Sequence, residues 1–267
     1  MSVAWAFVKR DFCTAASYRT SFVMQLAGIL FQVALFYFVA RLFGAAMNPS
    51  MQRYGNDYFA FLLIGVALSD YLGLSLNTFS ASIREGQGNG TLELMLLSPT
   101  GLPTILVASS LWVYIFTSVR VMLYLVAGIV LFGVQLGPVD PLAAGMVLLS
   151  SVACFAGLGV ISASFVIVLK RGDPLLWALG SLSTLLAGVF YPVEVLPEWL
   201  QAGSRLLPLT YSLEAMRLAL MQGYSLPQIW PDVGILIGFS VVLLPLGFWS
   251  FRLAVRKAKA DGSLTQF

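Results

Sequence analysis

Six long runs of apolar residues, separated by short polar segments, dominate the pattern of this chain. They cover residues 21–43, 58–80, 104–133, 141–169, 175–191 and 233–251. A helix needs about 20 mostly apolar residues to cross the roughly 30 Å hydrocarbon core of a bilayer, so the pattern predicts six transmembrane helices. These runs must be helical because a spanning backbone has to satisfy its own hydrogen bonds.

Composition agrees with lipid as the main solvent. Of the 267 residues, 59% are hydrophobic and 10% are charged, whereas soluble domains carry about 45–50% apolar and about 25% charged residues. A net charge of +3 provides no basic field for nucleic acid. The absence of histidine excludes Ser-His-Asp hydrolysis, Cys-His proteolysis and every His-ligated metal site. We therefore expect an all-α integral membrane protein with no catalytic residue, no metal site and no nucleic-acid partner.

The distribution of Lys and Arg predicts that both termini lie in the cytoplasm, because cytoplasmic loops carry an excess of these residues. This arrangement places ten of the 15 Lys and Arg residues on the inner side and one, Arg120, within a span. The four that it places outside are Arg41, Arg53, Arg205 and Arg217. The opposite orientation would put the larger number of cations outside.

Both ends of the chain carry segments that lack the pattern of a transmembrane span. In residues 1–20, Trp5, Val8 and Phe12 fall on one helical face beside basic residues, which predicts an interfacial helix. A frayed, untethered segment is the alternative. Residues 252–267 predict a basic cytoplasmic tail that helps to fix the topology.

The cytoplasmic connection at residues 81–103 is too elaborate for a plain loop. Its glycines are expected to end the preceding helix, and Thr91 can cap a new one. Glu93 then lies in the first turn, where a negative charge suits the helix dipole, and Pro99 ends the helix. This short helix is rich in Leu and Met, so it must lie on the membrane or dock into a groove of a partner. Periodicity alone does not separate these two possibilities.

A second elaborate connection, residues 191–223, lies outside between the last two spans. The fifth span is only about 17 residues long, which is short for a crossing. Prolines then divide the segment into two helices, the second near residues 211–222. The pattern favours a re-entrant hairpin that enters the outer leaflet, and a pair of surface-lying helices is the alternative. The residues that define the hairpin are Tyr191, Pro192, Pro197, Trp199, Leu200, Pro208, Tyr211 and Arg217.

Polar side chains inside the spans are candidates for function. Asp70 and Arg120 lie at similar depth in antiparallel neighbouring spans, which favours an ion pair, because an intramembrane charge normally has a partner or faces water. Contact with cargo, or with a water-filled groove, is the alternative. Gln25 and Gln32 share a face of the first span and can line a conduit or bond across helices. The second span also carries a face of small residues that predicts close helix packing: Gly65, Ser69 and Gly73.

Two stretches together resemble the permeases of ABC-2-type transporters. Glu85-Gly86, then Gly90-Thr91-Leu92-Glu93 and Leu96-Leu97-Ser98-Pro99, resemble that family's E-x-G-T-L-E-x-L-L-x-x-P segment. Residues 190–200 and 207–217, which read FYPVEVLPEWL and LPLTYSLEAMR, resemble its outer signature. Two departures are local: Leu207 replaces the usual Asn, and a Gly-Gln-Gly-Asn stretch precedes Gly90.

The resemblance implies a single transmembrane domain over residues 1–267 that acts as the permease subunit of an exporter in the bacterial inner membrane. It implies a coupling helix that docks into an ABC ATPase subunit, a second permease copy and contact with membrane lipids. ATP and Mg would be bound by the ATPase subunit, since no Lys here follows a Gly as a Walker A loop requires. The coupling residues would be Gly90, Thr91, Leu92, Glu93, Leu94, Leu96, Leu97 and Pro99.

Drugs, lipids and lipid-linked polysaccharides are the cargo classes that the family suggests. Two other functions are compatible with a multi-span chain: a secondary active transporter, and a non-transporting scaffold or sensor subunit. Secondary transporters usually show repeated halves with broken helices at the midplane. The sequence shows no such repeat.

Overall fold

The computed structural model describes residues 19–88, 102–134, 136–169 and 173–260, together with the single positions 5, 9 and 12. Within these ranges the chain forms helices and no strand. Short 3-10 turns at Gln52–Tyr54 and Val193–Val195 join some of the helices. The α-helices of these ranges, in chain order, are α1 (Arg19–Met51), α2 (Tyr58–Gly88), α3 (Leu102–Phe132), α4 (Pro141–Leu169), α5 (Asp173–Leu186), α6 (Glu198–Ser204), α7 (Pro208–Met221) and α8 (Leu226–Ala260).

Five of the described helices, α1, α2, α3, α4 and α8, are long and apolar enough to cross a membrane. This confirms an all-helical chain with several membrane-spanning helices. The predicted fifth span differs, because α5 has only 14 residues and its apolar part is Leu176–Leu186. At about 1.5 Å per residue such a helix is roughly 21 Å long, which is less than the thickness of the hydrocarbon core.

A turn at residues 187–192 ends α5 five residues before the end of the predicted span. Gly188 has a φ of +81°, a conformation that is costly for residues with a Cβ. The backbone therefore leaves the helical path here, and α6 and α7 follow after Pro197 and Pro208. Pro208 lies in the first turn of α7, where its missing N–H costs nothing.

Helix α4 lies at the centre of the bundle because small residues allow three neighbours to approach it closely. A Cβ on Gly157 would lie 2.9 Å from the backbone carbonyl carbon of Leu243 in α8. On the face toward α2, Ser162 donates a hydrogen bond to the Leu76 carbonyl at 2.6 Å. Ser151 donates to Ser212 of α7 at 2.8 Å. These contacts fix α2, α7 and α8 around one helix.

Several predicted features fall wholly or partly outside the described residues. The coupling residues from Gly90 to Pro99 lie outside them, so the coupling helix stays a prediction. Residues 81–88 continue α2, so the helix extends eight residues beyond the predicted span end at residue 80. Of the amino-terminal segment, Phe12 is described as helical and packs edge-to-face on Trp112 of α3, with ring centroids 5.6 Å apart. At the other end, α8 continues through residue 260 into the predicted tail.

Candidate functional site

An intramembrane polar cluster joins α1, α2 and α3. Arg120 Nη2 donates a hydrogen bond to Asp70 Oδ2 at 2.5 Å, so the structure contains the ion pair that the sequence favoured. One helical turn further, Tyr124 OH donates to Gln32 Oε1 at 2.8 Å. Gln32 therefore bonds across helices, whereas Gln25 lies on an exposed part of α1. The Arg120 and Asp70 side chains keep 33% and 22% of their surface exposed, so the pair is not enclosed by this chain alone.

Two tyrosine–serine pairs extend the contact between α2 and α3. Tyr71 OH donates to Ser118 Oγ at 2.8 Å, and Ser75 Oγ shares a hydrogen bond with Tyr114 OH at 2.7 Å. Sequence reasoning missed both pairs, because it looked inside the spans for charged and amide side chains and not for tyrosines. The available signal was the position of these tyrosines well inside apolar runs, where a buried phenol needs a partner.

An open groove of about 430 Å³ runs between α2 and α5. Among the described residues its walls carry no ionisable side chain, although hydroxyl and amide groups are present. Ser69, Asn77 and Thr184 donate to carbonyl oxygens of their own helices, which leaves their acceptor oxygens for other groups. The residues that line the groove are Ser69, Leu72, Gly73, Leu76, Asn77, Leu176, Trp177, Gly180, Ser181, Thr184, Leu185 and Phe190.

The small-residue face of α2 has two different roles. A Cβ on Gly65 would overlap the carbonyl oxygen of Val189 in the turn after α5 and would lie 2.7 Å from Arg217 Nη2. By contrast, a Cβ on Gly73 would have no atom within 4 Å, and Gly73 borders the groove. The predicted close packing is therefore present at Gly65 and absent at Gly73.

Arg217 is buried, with 3% of its surface exposed, although the sequence placed it among the outer topology charges. Its Nη1 donates to the Gly188 carbonyl at 2.9 Å, and its Nη2 donates to the carbonyls of Val189 at 3.0 Å and Phe61 at 3.3 Å. The guanidinium carbon also lies 3.3 Å from the centroid of the Phe61 ring. Arg217 is therefore not a solvent-facing charge, and its three acceptors all lie outside the hairpin at residues 191–223.

Charged side chains join the hairpin to the connection between α1 and α2. Arg53 Nη2 lies 2.8 Å from Glu214 Oε1, and Arg53 Nη1 lies 3.9 Å from Glu194 Oε1. Tyr54 OH donates to Glu214 Oε2. Burial, and then the neighbouring Glu214 carboxylate, raise the pKa of Tyr54, so this phenol stays protonated and remains a donor at physiological pH.

The remaining hairpin residues lie in varied surroundings. Trp199 is 74% exposed on α6, and Leu200 beside it is half-buried. Pro192 and Pro208 are buried, whereas Pro197 is exposed. Two tyrosines bond to the backbone, one at the start and one near the middle of the hairpin: Tyr191 OH donates to the Leu185 carbonyl at 2.6 Å, and Tyr211 OH donates to the Arg205 carbonyl at 2.9 Å.

Comparison with known families identifies the family of this chain. Residues 3–221 match the family described as ABC-2 type transporter, which is well over half of the chain. The chain belongs to the ABC-2 type transporter family. It is accordingly a multi-pass membrane protein and the permease component of an ABC-type transporter. ABC-2 permeases are transmembrane components that in general are not themselves catalytic, and the family works with an ABC ATPase.

One relative shares a short region with this ABC-2 permease. The uncharacterized protein YhgE of Bacillus subtilis (strain 168) is 31% identical over 75 residues. The shared region is 28% of this chain and 10% of YhgE, so the match covers a small part of the relative's length. It carries no information on cargo.

Proposed function

We propose that this chain is the permease subunit of an ABC exporter and forms the transmembrane conduit for a drug, a lipid or a lipid-linked polysaccharide. The observation that carries the proposal is the groove between α2 and α5, because it is open, neutral and partly polar. A neutral wall with hydroxyl and amide groups suits amphipathic cargo, since no fixed charge has to be desolvated as the cargo passes. The chain itself hydrolyses no ATP in this proposal.

In the proposed topology α5 belongs to the fifth of six crossings, and both termini lie in the cytoplasm of a bacterial cell. Because α5 is too short to cross alone, residues 191–223 complete the passage as a re-entrant hairpin. Side-chain donors to the carbonyls of Leu185, Gly188 and Phe190 support this reading, as irregular backbone at membrane depth is tolerated only against protein or water. Surface-lying helices would have no such requirement.

The proposed assembly contains two permease copies and two ATPase subunits, which bind ATP and Mg. A second copy would cover the exposed apolar face of α5, which includes Trp177, Leu182 and Leu185. Membrane lipids would cover the rest of the apolar surface. Coupling would pass through the segment from Gly90 to Pro99, whose apolar residues need a partner surface.

Co-purification tests the proposed partner, and a charge substitution tests coupling. An ABC ATPase subunit should co-purify with the tagged permease from its native host. Replacing Leu94 and Leu97 together with Asp should leave the permease inserted but remove permease-dependent stimulation of ATP hydrolysis. Two buried carboxylates in an apolar contact each lose hydration without gaining a partner, which costs several kcal/mol.

A matched variant separates loss of docking from loss of folding. Leu94→Met with Leu97→Met keeps both positions apolar and should retain stimulation of the ATPase. Normal coupling in the Asp variant would remove the coupling helix from the proposal. Failure to recover any ATPase with the wild-type permease would contradict the exporter function itself.

The re-entrant hairpin predicts a pattern of thiol labelling from outside. In a background with Cys13 and Cys154 replaced by Ser, cysteines at Glu194 and Glu198 should react quickly with an impermeant maleimide, because both positions are exposed. A cysteine at Met216, which is 7% exposed, should react slowly and change when the ATPase is trapped with nucleotide. A cysteine at half-buried Leu200 should behave in the same way. Uniform labelling that does not depend on nucleotide would show a solvated loop.

A further inference from the structure

The carbonyl groups at the carboxyl end of α5 need hydrogen-bond partners from outside the helix. The last four carbonyl groups of a helix have no partner within the helix. Five carbonyls at this end and in the following turn instead accept hydrogen bonds from side chains. Tyr191 donates to the Leu185 carbonyl, Ser204 to the Leu186 carbonyl and Tyr58 to the Phe190 carbonyl. Arg217 donates to the carbonyls of both Gly188 and Val189. The end of α5 and the following turn are therefore held by protein donors.

Arg217 differs from the other donors in this group. It binds two of these carbonyls and also donates a hydrogen bond to α2. The third carbonyl that it binds belongs to Phe61, in the first turns of α2. A guanidinium presents five N–H donors in one plane, so a single side chain can bridge acceptors on separate elements. The carboxyl-terminal end of α5 also carries partial negative charge from its free carbonyl groups, which favours a cation at this position.

The surroundings fit an arginine closely. Gly65 leaves the space that the guanidinium and the Val189 carbonyl occupy, since a Cβ there would overlap them. The guanidinium carbon of Arg217 lies over the Phe61 ring, 3.3 Å from its centroid, and makes a cation–π contact. Gly188 supplies the positive φ that turns its carbonyl toward Arg217. Three elements thus contribute to one buried cation site.

We infer that Arg217 is a positioning residue that fixes where α5 ends and holds the turn at residues 187–190 against α2. Because Leu185 and Phe190 border the groove, this contact also sets the outer end of the groove. The link to the groove rests on the proposed conduit function, whereas the hold on the turn does not. Loss of the guanidinium should release the turn while the rest of the bundle stays folded.

A buried thiol in the turn measures this release directly. Val189 is fully buried, so Val189→Cys should react slowly with an impermeant maleimide in proteoliposomes, in a chain with Cys13→Ser and Cys154→Ser. Adding Arg217→Gln should raise the labelling rate at least about tenfold, the change expected when one hydrogen bond to a charged group no longer holds the closed turn. Arg217→Lys keeps the charge but replaces the wide planar guanidinium with a compact ammonium that matches these acceptors less well, and should give an intermediate rate.

Three controls separate positioning from a general loss of structure. Arg205→Gln removes the same charge at an exposed outer position and should leave the labelling rate at residue 189 unchanged. The native thiol of Cys154, buried in α4, should stay unreactive in Arg217→Gln chains that retain it. Millimolar guanidinium ion should restore slow labelling in Arg217→Ala, because it can occupy the vacated donor position.

The outcomes decide the inference without reference to transport. A wild-type labelling rate in Arg217→Gln, an equal rise in Arg205→Gln, or parallel exposure of Cys154 would each overturn it. If Arg217→Gln fails to insert, the rate in Arg217→Lys decides, and a wild-type value there would also overturn it. The measurement uses the permease without ATPase or cargo, so failure of the exporter proposal would leave the result unaffected.

Discussion

Gly65→Val should destabilise the detergent-solubilised permease by about 2.5–6 kcal/mol. Overpacking a close contact costs about 1–3 kcal/mol, and breaking hydrogen bonds to a buried charge costs about 1.5–3 kcal/mol more. The new side chain would overlap the Val189 carbonyl and Arg217 Nη2, neither of which can move without leaving its partners. Thermal unfolding followed by tryptophan fluorescence measures the loss.

Gly73→Val is the matched control for this prediction. It makes the same substitution two turns further along α2, where a Cβ has no neighbour within 4 Å. Its effect should stay within about 0.5 kcal/mol, as for surface substitutions in general. Equal losses at the two positions would show that the cost comes from the helix itself, and the packing of Gly65 on the turn would then contribute nothing.

Removing either partner of the Asp70–Arg120 pair should cost about 3 kcal/mol. Breaking a fully buried pair costs about 3–5 kcal/mol because a charge is left without a partner in a low dielectric. The lower end applies here, since both side chains remain partly exposed in this chain. Asp70→Asn and Arg120→Gln should each lower the unfolding temperature, and the double variant should recover part of the loss.

The Arg53–Glu214 pair gives this double-mutant cycle its reference. It has the same chemistry, but the Arg53 side chain is 59% exposed at the outer surface, and such pairs contribute about 0.2–1 kcal/mol. Arg53→Gln and Glu214→Gln should therefore show a much smaller coupling energy. Strictly additive losses for Asp70 and Arg120 would contradict a stabilising contact between them.

Hydropathy predicted most of the fold because each of the five long helices α1, α2, α3, α4 and α8 is built around one continuous apolar run. The run at residues 141–169 has the same bounds as α4. The exception is α5, whose end depends on the φ of Gly188 and on donors from distant elements. Arg217 is 29 residues away from Gly188, and no local window contains both. A pattern of hydrophobicity therefore could not locate this helix end.

The site divides in a similar way between predictable and unpredictable residues. Asp70 and Arg120 could be paired from the sequence, because a charge inside an apolar run is rare and must find a partner. The Tyr71–Ser118 contact could not, since both residue types are common in spans and the contact depends on how the helices are rotated. Arg217 was counted as a topology charge because, in a sequence, a cation near a hairpin looks the same whether it faces water or carbonyls.

The donors that hold the end of α5 also impose an order on biogenesis. The donor Tyr58 and the Phe61 carbonyl, which accepts from Arg217, are synthesised before the turn, but the donors Ser204 and Arg217 are synthesised after it. At about 5–20 residues per second, the 29 residues between Gly188 and Arg217 take roughly 1.5–6 s to translate. During that interval the turn lacks its main donor, so we expect α5 to reach its final depth only after Arg217 has been made. We therefore expect its insertion to finish together with that of α7. A ribosome stalled before residue 217 should leave a chain whose α5 has not reached its final depth.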